Sequence, residues 1–112
     1  MKYTLRLKSN KDFVSLYKRG TYIVGKNCVF YYRKNGRKFN RFGISVGKKV
    51  GCAVLRNRAK RIIRQAYREN EELFPKGYDI VVVARAGAAE CKCYHISSFF
   101  KKKVIPAMNG KV

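Results

Sequence analysis

The side chains that usually carry acid-base and metal chemistry are few and scattered in this chain. The carboxylates are Asp12, Glu69, Glu71, Glu72, Asp79 and Glu90. A two-metal nuclease site needs several carboxylates that converge on one point, and no two Asp residues stand together here. His95 is the only histidine, so general acid-base catalysis has few candidate groups. We therefore expect the protein to bind more than it catalyses, with a self-sufficient metal nuclease as the weaker alternative.

Positive charge dominates the composition. The 112 residues include 27 Lys and Arg against 6 Asp and Glu, which gives a formal net charge of +21. A small domain with this much self-repulsion is typical of a protein whose partner is a polyanion. Hydrophobic residues make up 46% of the chain, enough for one stable core in a domain of this size. We therefore expect a single domain over residues 1–112 that binds a polyanion such as a nucleic acid.

Three residues near the C-terminus could in principle hold zinc. Cys91, Cys93 and His95 alternate, so an extended segment would place all three side chains on one side. No fourth ligand is evident, and the spacing differs from the two-residue gap of a zinc knuckle. An ordinary loop or helix approach is the favoured interpretation, with no metal site.

The expected cellular location of the protein follows from the lengths of its hydrophobic runs. Met1 to Leu7 contains no continuous hydrophobic run, so we expect no secretory signal peptide. The longest strongly apolar stretch, Ile80 to Ala84, is far shorter than the roughly 20 residues that span a bilayer. A cytoplasmic location without a membrane partner is therefore expected, with all four cysteines as free thiols.

The segment from Val54 to Asn70 predicts an amphipathic helix. Its buried stripe consists of Leu55, Ala59, Ile62, Ile63 and Ala66. Successive residues of a helix are rotated by roughly 100°, which places polar and basic residues on the face opposite this stripe. That face comprises Asn57, Lys60, Arg61, Arg64 and Arg68, with Arg56 and Arg58 beside the first turns. A solvated surface helix usually mixes Glu with Lys four apart, whereas Lys60 and Arg64 have like charge, so phosphate binding is favoured over a merely solvated face.

The N-terminal half predicts one helix and several strands. Ser9 and Asp12 are typical of a helix start, and Gly20 suits a left-handed cap, so we expect a helix from Asn10 to Arg19. The β-prone runs are 22–33, with Asn27 as a candidate break between two short strands, and 39–46. Turn residues at 34–37 predict a hairpin between these two runs.

The C-terminal half predicts a strand and a helix. Tyr78 to Ala84 is nearly continuously apolar, which suits the middle of a covered sheet. A final helix is expected from Ser97 to Met108, with Pro106 limiting its regularity. The order is helix, strands, basic helix, strand, helix, which is an α+β domain.

One family matches these residues. The run from Arg56 to Arg68, Arg-Asn-Arg-Ala-Lys-Arg-Ile-Ile-Arg-Gln-Ala-Tyr-Arg, together with Gly43 to Gly51 before it, closely resembles the protein subunit of bacterial ribonuclease P. The resemblance extends upstream to 10–13 and 17–20 and downstream to 77–81.

The resemblance implies a function. In that family a large catalytic RNA uses Mg²⁺ to hydrolyse precursor tRNA, which releases the 5′ leader and leaves the mature 5′ end. The chain would be the accessory subunit of this endoribonuclease and would not be active alone. Its partners would be the catalytic RNA and precursor tRNA, with no small-molecule substrate and no firmly bound metal. A structural ribosomal protein or a general RNA chaperone is the alternative, because it would share the charge and the α+β architecture.

The resemblance also implies site residues. The RNA-subunit-binding residues would be Arg56, Asn57, Arg58, Lys60, Arg61, Arg64 and Arg68. The leader-binding residues would be Phe13, Tyr17 and Tyr31, with Lys48 and Lys49 beside them for the leader or for the catalytic RNA. Rings at such positions can stack on unpaired bases without requiring one sequence. Taken without the resemblance, Phe13 and Tyr17 would be read as core packing, because they lie four apart on a helix.

The implied fold resembles the second domain of ribosomal protein S5, with a central mixed sheet. In it the basic helix joins two parallel strands by a left-handed crossover. General rules predict the opposite hand, because about 98% of such crossovers are right-handed.

Overall fold

The computed structural model describes residues 4–110 as one α+β domain built on a five-stranded sheet. The elements are β1 (Thr4–Arg6), α1 (Asn10–Arg19), β2 (Thr21–Val24), β3 (Cys28–Lys34), β4 (Asn40–Ser45), α2 (Ala53–Asn70), β5 (Tyr78–Ala84), α3 (Cys93–Phe99) and α4 (Ile105–Met108). Short 3₁₀ turns cover Lys48–Val50 and Glu71–Leu73, and a π-helical turn covers Phe100–Val104. The predicted domain also included residues 1–3 and 111–112, which lie outside the described range.

The sheet is mixed, as the family resemblance implies. Its strand order is β1-β4-β5-β3-β2. The β1–β4 and β4–β5 pairs are parallel, and the β5–β3 and β3–β2 pairs are antiparallel. The central place of β5 and the crossover through α2 are therefore confirmed, while the hand of that crossover stays a prediction.

The predicted hairpin between β3 and β4 is wrong. β5 lies between these strands, and β3 instead forms a hairpin with β2. The 34–39 connection is held open because the amide of Asn35 donates to the carbonyl of Gly77 at 2.9 Å, just before β5. The Asn35 side chain also donates to Asp79 Oδ1 at 3.0 Å. The turn residues thus dock on β5 rather than closing a two-stranded ribbon.

The two faces of the sheet bury different clusters. Alternate strand residues such as Phe30, Ile80 and Val82 pack with α2 and the C-terminal helices in the larger core. The intervening residues face α1, where Val81 and Leu16 are buried in a smaller cluster. Strand alternation therefore assigns α1 to one face and α2 to the other.

Helix α1 has the predicted bounds but not the predicted caps. Ser9 stands at the N-cap without a side-chain capping bond, and Asp12 instead pairs with Arg41. Gly20 has φ −78°, so it is not left-handed. Glycine is needed there for a different reason: a Cβ would lie 2.6 Å from the carbonyl oxygen of Leu16.

The C-terminal helical segment begins at Cys93, four residues before the predicted Ser97. The amide of Lys92 donates to Nδ1 of His95 at 3.0 Å, so the histidine caps the first turn. Pro106 has no N–H to bond one turn back, and the π-helical turn just before it accommodates that interruption. Among residues 4–110, no three metal-binding side chains come together. No helix within this range is long and apolar enough to cross a bilayer.

Candidate nucleic-acid interface

Helix α2 presents the basic face that its sequence pattern predicts. Ala59, Ile63 and Ala66 are fully buried on the opposite side, so the helix has only one orientation on the sheet. On the outer side the exposed residues are Asn57, Arg58, Arg61 and Arg68, and the half-buried ones are Arg56, Lys60 and Arg64. Within the described range none of these cations forms a salt bridge. Glu69 lines a groove with Arg61, Arg64 and Arg68 without pairing with them, so the face keeps a large excess of positive charge.

The position of α2 is set by two contacts near its C-terminal end. The ring of Tyr67 stacks on Phe42 of β4 with centroids 4.1 Å apart and planes 18° apart. The side chain of Asn70 donates to Ser97 Oγ at 2.8 Å, which joins α2 to α3. Both contacts are buried, so they fix the helix on the sheet and thereby the direction of its cations.

The three predicted leader-binding rings lie together on the other face of the sheet. The ring centroids of Phe13 and Tyr17 on α1 are 6.5 Å apart, and those of Tyr17 and Tyr31 on β3 are 5.0 Å apart. Tyr17 is 39% exposed, and the other two residues are half-buried. The alternative of plain core packing fits Phe13 and Tyr31 in part, since both border the smaller core, but it does not fit Tyr17.

Arg41 and Gly43 of β4 decide how α1 lies over this face. The Arg41 guanidinium reaches Asp12 of α1 at 3.4 Å and Asp79 of β5 at 2.6 Å, which holds the helix near one end of the sheet. Close approach is allowed at Gly43, where a Cβ would lie 2.6 Å from Cζ of Phe13. Toward the other end, Val29 and Val83 are only half-buried and form the floor beside the rings.

Burial and hydrogen bonding shift the pKa of the Asp79 carboxyl in opposite directions. Burial raises its pKa, but hydrogen bonds from Arg41 and Asn35 outweigh that effect, so the pKa lies below the ordinary value of 3.8. Asp79 is therefore a charged structural partner of Arg41 at neutral pH, and it is not available as a general acid.

A cleft of about 750 Å³ connects the two surfaces at the β1 edge of the sheet. It is lined by Arg6, Leu7, Lys8, Phe13, Phe42, Gly43, Ile44, Lys60 and Arg64. Among residues 4–110, strand β1 pairs with β4 from Asn40 to Phe42, so the edge of β4 beyond Phe42 is open there. One end of the ring cluster and the inner side of the α2 cations thus share one opening, with no carboxylate in its lining.

Lys48 and Lys49 occupy the 3₁₀ turn that follows β4. Both are exposed, and neither side chain has a hydrogen bond or ring contact among residues 4–110. Val50 is buried, and Gly51 adopts φ 133°, a conformation that favours glycine. The turn is thus anchored, but the structure does not bring its lysines into contact with the rings.

Sequence analysis did not single out Tyr22, Asn40 or Arg41. Tyr22 lies opposite Tyr31 in the β2–β3 register, and a correct hairpin assignment would have found it. Asn40 is fully buried; its side chain donates to the Pro75 carbonyl at 2.9 Å and accepts from the Tyr78 amide at 2.8 Å. No local pattern marks a residue whose partners are this distant in sequence.

Comparison with known proteins gives the family. A family model described as Ribonuclease P matches residues 1–106. The chain is also 42% identical over 102 residues to the ribonuclease P protein component of Clostridioides difficile, covering 90% of each chain. The chain belongs to the ribonuclease P protein family. It is thus an RNA-binding protein component of a tRNA-processing ribonuclease.

Other members of the ribonuclease P protein family agree in sequence and in fold. The component from Alkaliphilus oremlandii is 41% identical over 98 residues, covering 88% of this chain and 86% of its own. The solved Staphylococcus aureus protein superposes with a TM-score of 0.79 at 35% identity, over 91% of this chain and 94% of its own. The Thermotoga maritima protein, solved with 1-(4-fluorophenyl)-2-thiourea, gives a TM-score of 0.80 at 33% identity, over 89% of this chain and 97% of its own.

Proposed function

We propose that this protein binds the catalytic RNA of ribonuclease P through α2 and the 5′ leader of precursor tRNA through its aromatic cluster. The observation that carries the proposal is the shared cleft, which is lined by Phe13 of the ring cluster and by Lys60 and Arg64 of α2. Two surfaces that meet at one opening can hold catalyst and substrate strands side by side.

The α2 face suits phosphate rather than a protein partner. Arginine guanidinium groups match phosphate oxygens through paired N–H donors, and those on α2 have no carboxylate partner in the described range. A protein interface of ordinary composition is depleted in charge at its centre, unlike this face. RNA of defined shape is the partner that both features support, although the Nε of Arg56 is buried and so is not available to it.

The ring cluster suits an unpaired strand. Tyr17 and Tyr31 are held edge-to-face, so each keeps part of a ring face open for a base. Stacking of this kind contributes about 1 to 3 kcal/mol per base and tolerates any sequence. Mature tRNA lacks the leader, so this contact favours substrate over product. Lys48 and Lys49 are proposed to add phosphate contacts from the neighbouring turn.

Mg²⁺ and the hydrolytic step are assigned to the RNA. The carboxylates nearest the cluster, Asp12 and Asp79, are both engaged by Arg41, and no group of metal-binding side chains forms within residues 4–110. The donor set of the described chain does not fit a Mg²⁺ site, so no step of the reaction is derived through the protein's own carboxylates. A cytoplasmic site of action stays a prediction.

Reconstitution with a bacterial ribonuclease P RNA tests the proposal. Precursor tRNA is incubated at low Mg²⁺ and moderate salt with protein alone, RNA alone, and both. We expect only the mixture to cut efficiently at the mature 5′ end. Cleavage unaffected by the protein would favour a ribosomal or chaperone role instead.

A matched pair of variants tests the leader site. Tyr17→Ala should weaken binding of leader-containing substrate by about 5-fold to about 150-fold and leave mature tRNA unchanged. Tyr94→Ala is the control, because Tyr94 is also exposed but lies on α3, on the other side of the sheet. Equal losses for precursor and mature tRNA would contradict the leader site.

A further inference from the structure

Tyr22 is a large aromatic residue exposed on an edge strand. It lies on β2, the last strand of the sheet, and is 60% exposed. A ring this exposed contributes little to the core, and the neighbouring Ile23, which faces the other side, is the β2 residue that packs there. Stability therefore does not account for a tyrosine at this position.

The Tyr22 ring extends the aromatic cluster by one member. Tyr22 pairs with Tyr31 in the antiparallel register, and their ring centroids are 5.7 Å apart with planes 38° apart. Tyr31 in turn contacts Tyr17 at 5.0 Å, and Tyr17 contacts Phe13 at 6.5 Å. The four rings form a continuous row that begins beside β4 and ends at the free edge of β2.

The positive charges near Tyr22 favour a nucleic acid as the ligand that binds this surface. Lys18 lies in the last turn of α1, just before β2, and Lys26 lies in the β2–β3 turn; both are exposed and have no salt bridge in the described range. A second copy of the chain, with its own net charge of +21, would be repelled from this surface. An unpaired base with its phosphate satisfies both the exposed ring and the cations.

We propose that Tyr22 is a further leader-binding residue that stacks on one nucleotide beyond those held by Tyr17 and Tyr31. The inference rests on the leader site proposed above and extends that site by one nucleotide, so that binding depends on the length of the leader. Exposed Val24, two residues along the same face of β2, offers apolar surface for the same nucleotide. The contribution of Tyr22 to affinity therefore arises only with leaders long enough to cross from α1 to the sheet edge.

The experiment measures binding of precursor tRNAs with leaders of increasing length, from one nucleotide upward, to the reconstituted holoenzyme. Tyr22→Ala should leave mature tRNA and short leaders unchanged. Once the leader reaches the edge of β2, affinity should fall by about 5-fold to about 150-fold relative to the wild type, the range expected for one base stack. Tyr22→Phe should retain nearly full affinity, because stacking needs the ring and not the hydroxyl. Thr21→Ala, an exposed change on the same strand, is the matched control.

Three outcomes would overturn the inference. The first is an equal loss at every leader length, which would indicate a structural role. The second is no loss at any length while Tyr17→Ala still weakens leader binding, which would remove Tyr22 but leave the proposed leader site intact. The third is dissociation of a protein dimer by Tyr22→Ala in sedimentation, with leader binding unchanged. If Tyr17→Ala has no leader-specific effect either, the proposed function fails, and this failure is distinguishable from the second outcome.

Discussion

Arg41 on β4 and Asp79 on β5 face each other in the parallel register and form a two-point ion pair. The Nε of Arg41 donates to Oδ1 at 2.8 Å, and Nη2 donates to Oδ2 at 2.6 Å. The remaining nitrogen, Nη1, reaches Asp12 of α1 at 3.4 Å. One side chain thus joins two central strands to the helix that carries Phe13 and Tyr17, so the shape of the proposed leader site depends on it.

This ion pair predicts a specific loss of stability in acid. The folded-state pKa of Asp79 lies below its ordinary 3.8, so its stabilising contribution is present above that value and is lost as the pH falls through the folded-state pKa. At neutral pH, Asp79→Asn should lower the free energy of unfolding by about 1.5 to 3 kcal/mol, the usual range for hydrogen bonds to charged groups. Urea unfolding should show the variant and the wild type converging between about pH 5 and about pH 2. Parallel stability curves over that range would contradict the assignment.

Replacing Arg61 should change the salt dependence of RNA binding. It is exposed on α2 and lines one groove with Arg64 and Arg68. If it contacts one phosphate, Arg61→Ala should reduce the slope of log K against log salt by about 0.7 to 0.9 in binding to the catalytic RNA. Lys102→Ala, an exposed cation on the C-terminal helical segment, is the control and should change the slope less. Equal changes for both variants would mean that only total charge matters.

Replacing Gly43 should weaken substrate binding more than it lowers the stability of the fold. An added Cβ would lie 2.6 Å from Cζ of Phe13, and the end of a ring moves more easily than backbone. Gly43→Ala should therefore displace Phe13 and weaken leader binding by about 5-fold, equivalent to about 1 kcal/mol of stacking. At Gly47 no atom lies within 4 Å of an added Cβ, so Gly47→Ala should change neither property. Leader-binding titrations paired with melting curves check both variants, and unchanged leader affinity in Gly43→Ala would be inconsistent with Phe13 as a contact.

The cysteines predict an order of reaction with iodoacetamide. Cys52 is exposed at the start of α2, where the nearby backbone amides of Leu55 and Val54 lower the pKa of its thiol. Burial raises the pKa of Cys28 to about 12. Mass spectrometry of the native protein should therefore find Cys52 alkylated first, Cys91 and Cys93 later, and Cys28 only after unfolding. Early labelling of Cys28 would show that the larger core opens more readily than its packing indicates.

Local sequence determined the elements and the chemistry of their surfaces. The bounds of α1 and β5 agree with prediction, and α2 differs by one residue at its start, because each has an unbroken apolar period that only one secondary structure can bury. The basic face of α2 follows from the same period, since burying Ala59, Ile63 and Ala66 leaves Arg61 and Arg68 outside. The family could be named at this level because its motif is itself a local run of residues.

Tertiary structure decided which elements became neighbours. Turn residues at 34–37 indicated a β3–β4 hairpin, yet β5 lies between these strands because its continuously apolar residues are buried best at the centre of the sheet. That insertion places Asp79 opposite Arg41 and forms the buried bonds of Asn40, all between residues far apart in the chain. The meeting of Phe13 with Lys60 and Arg64 in one cleft has the same origin. Local periodicity specifies which face an element buries, but the partner on that face depends on the packing of the whole chain.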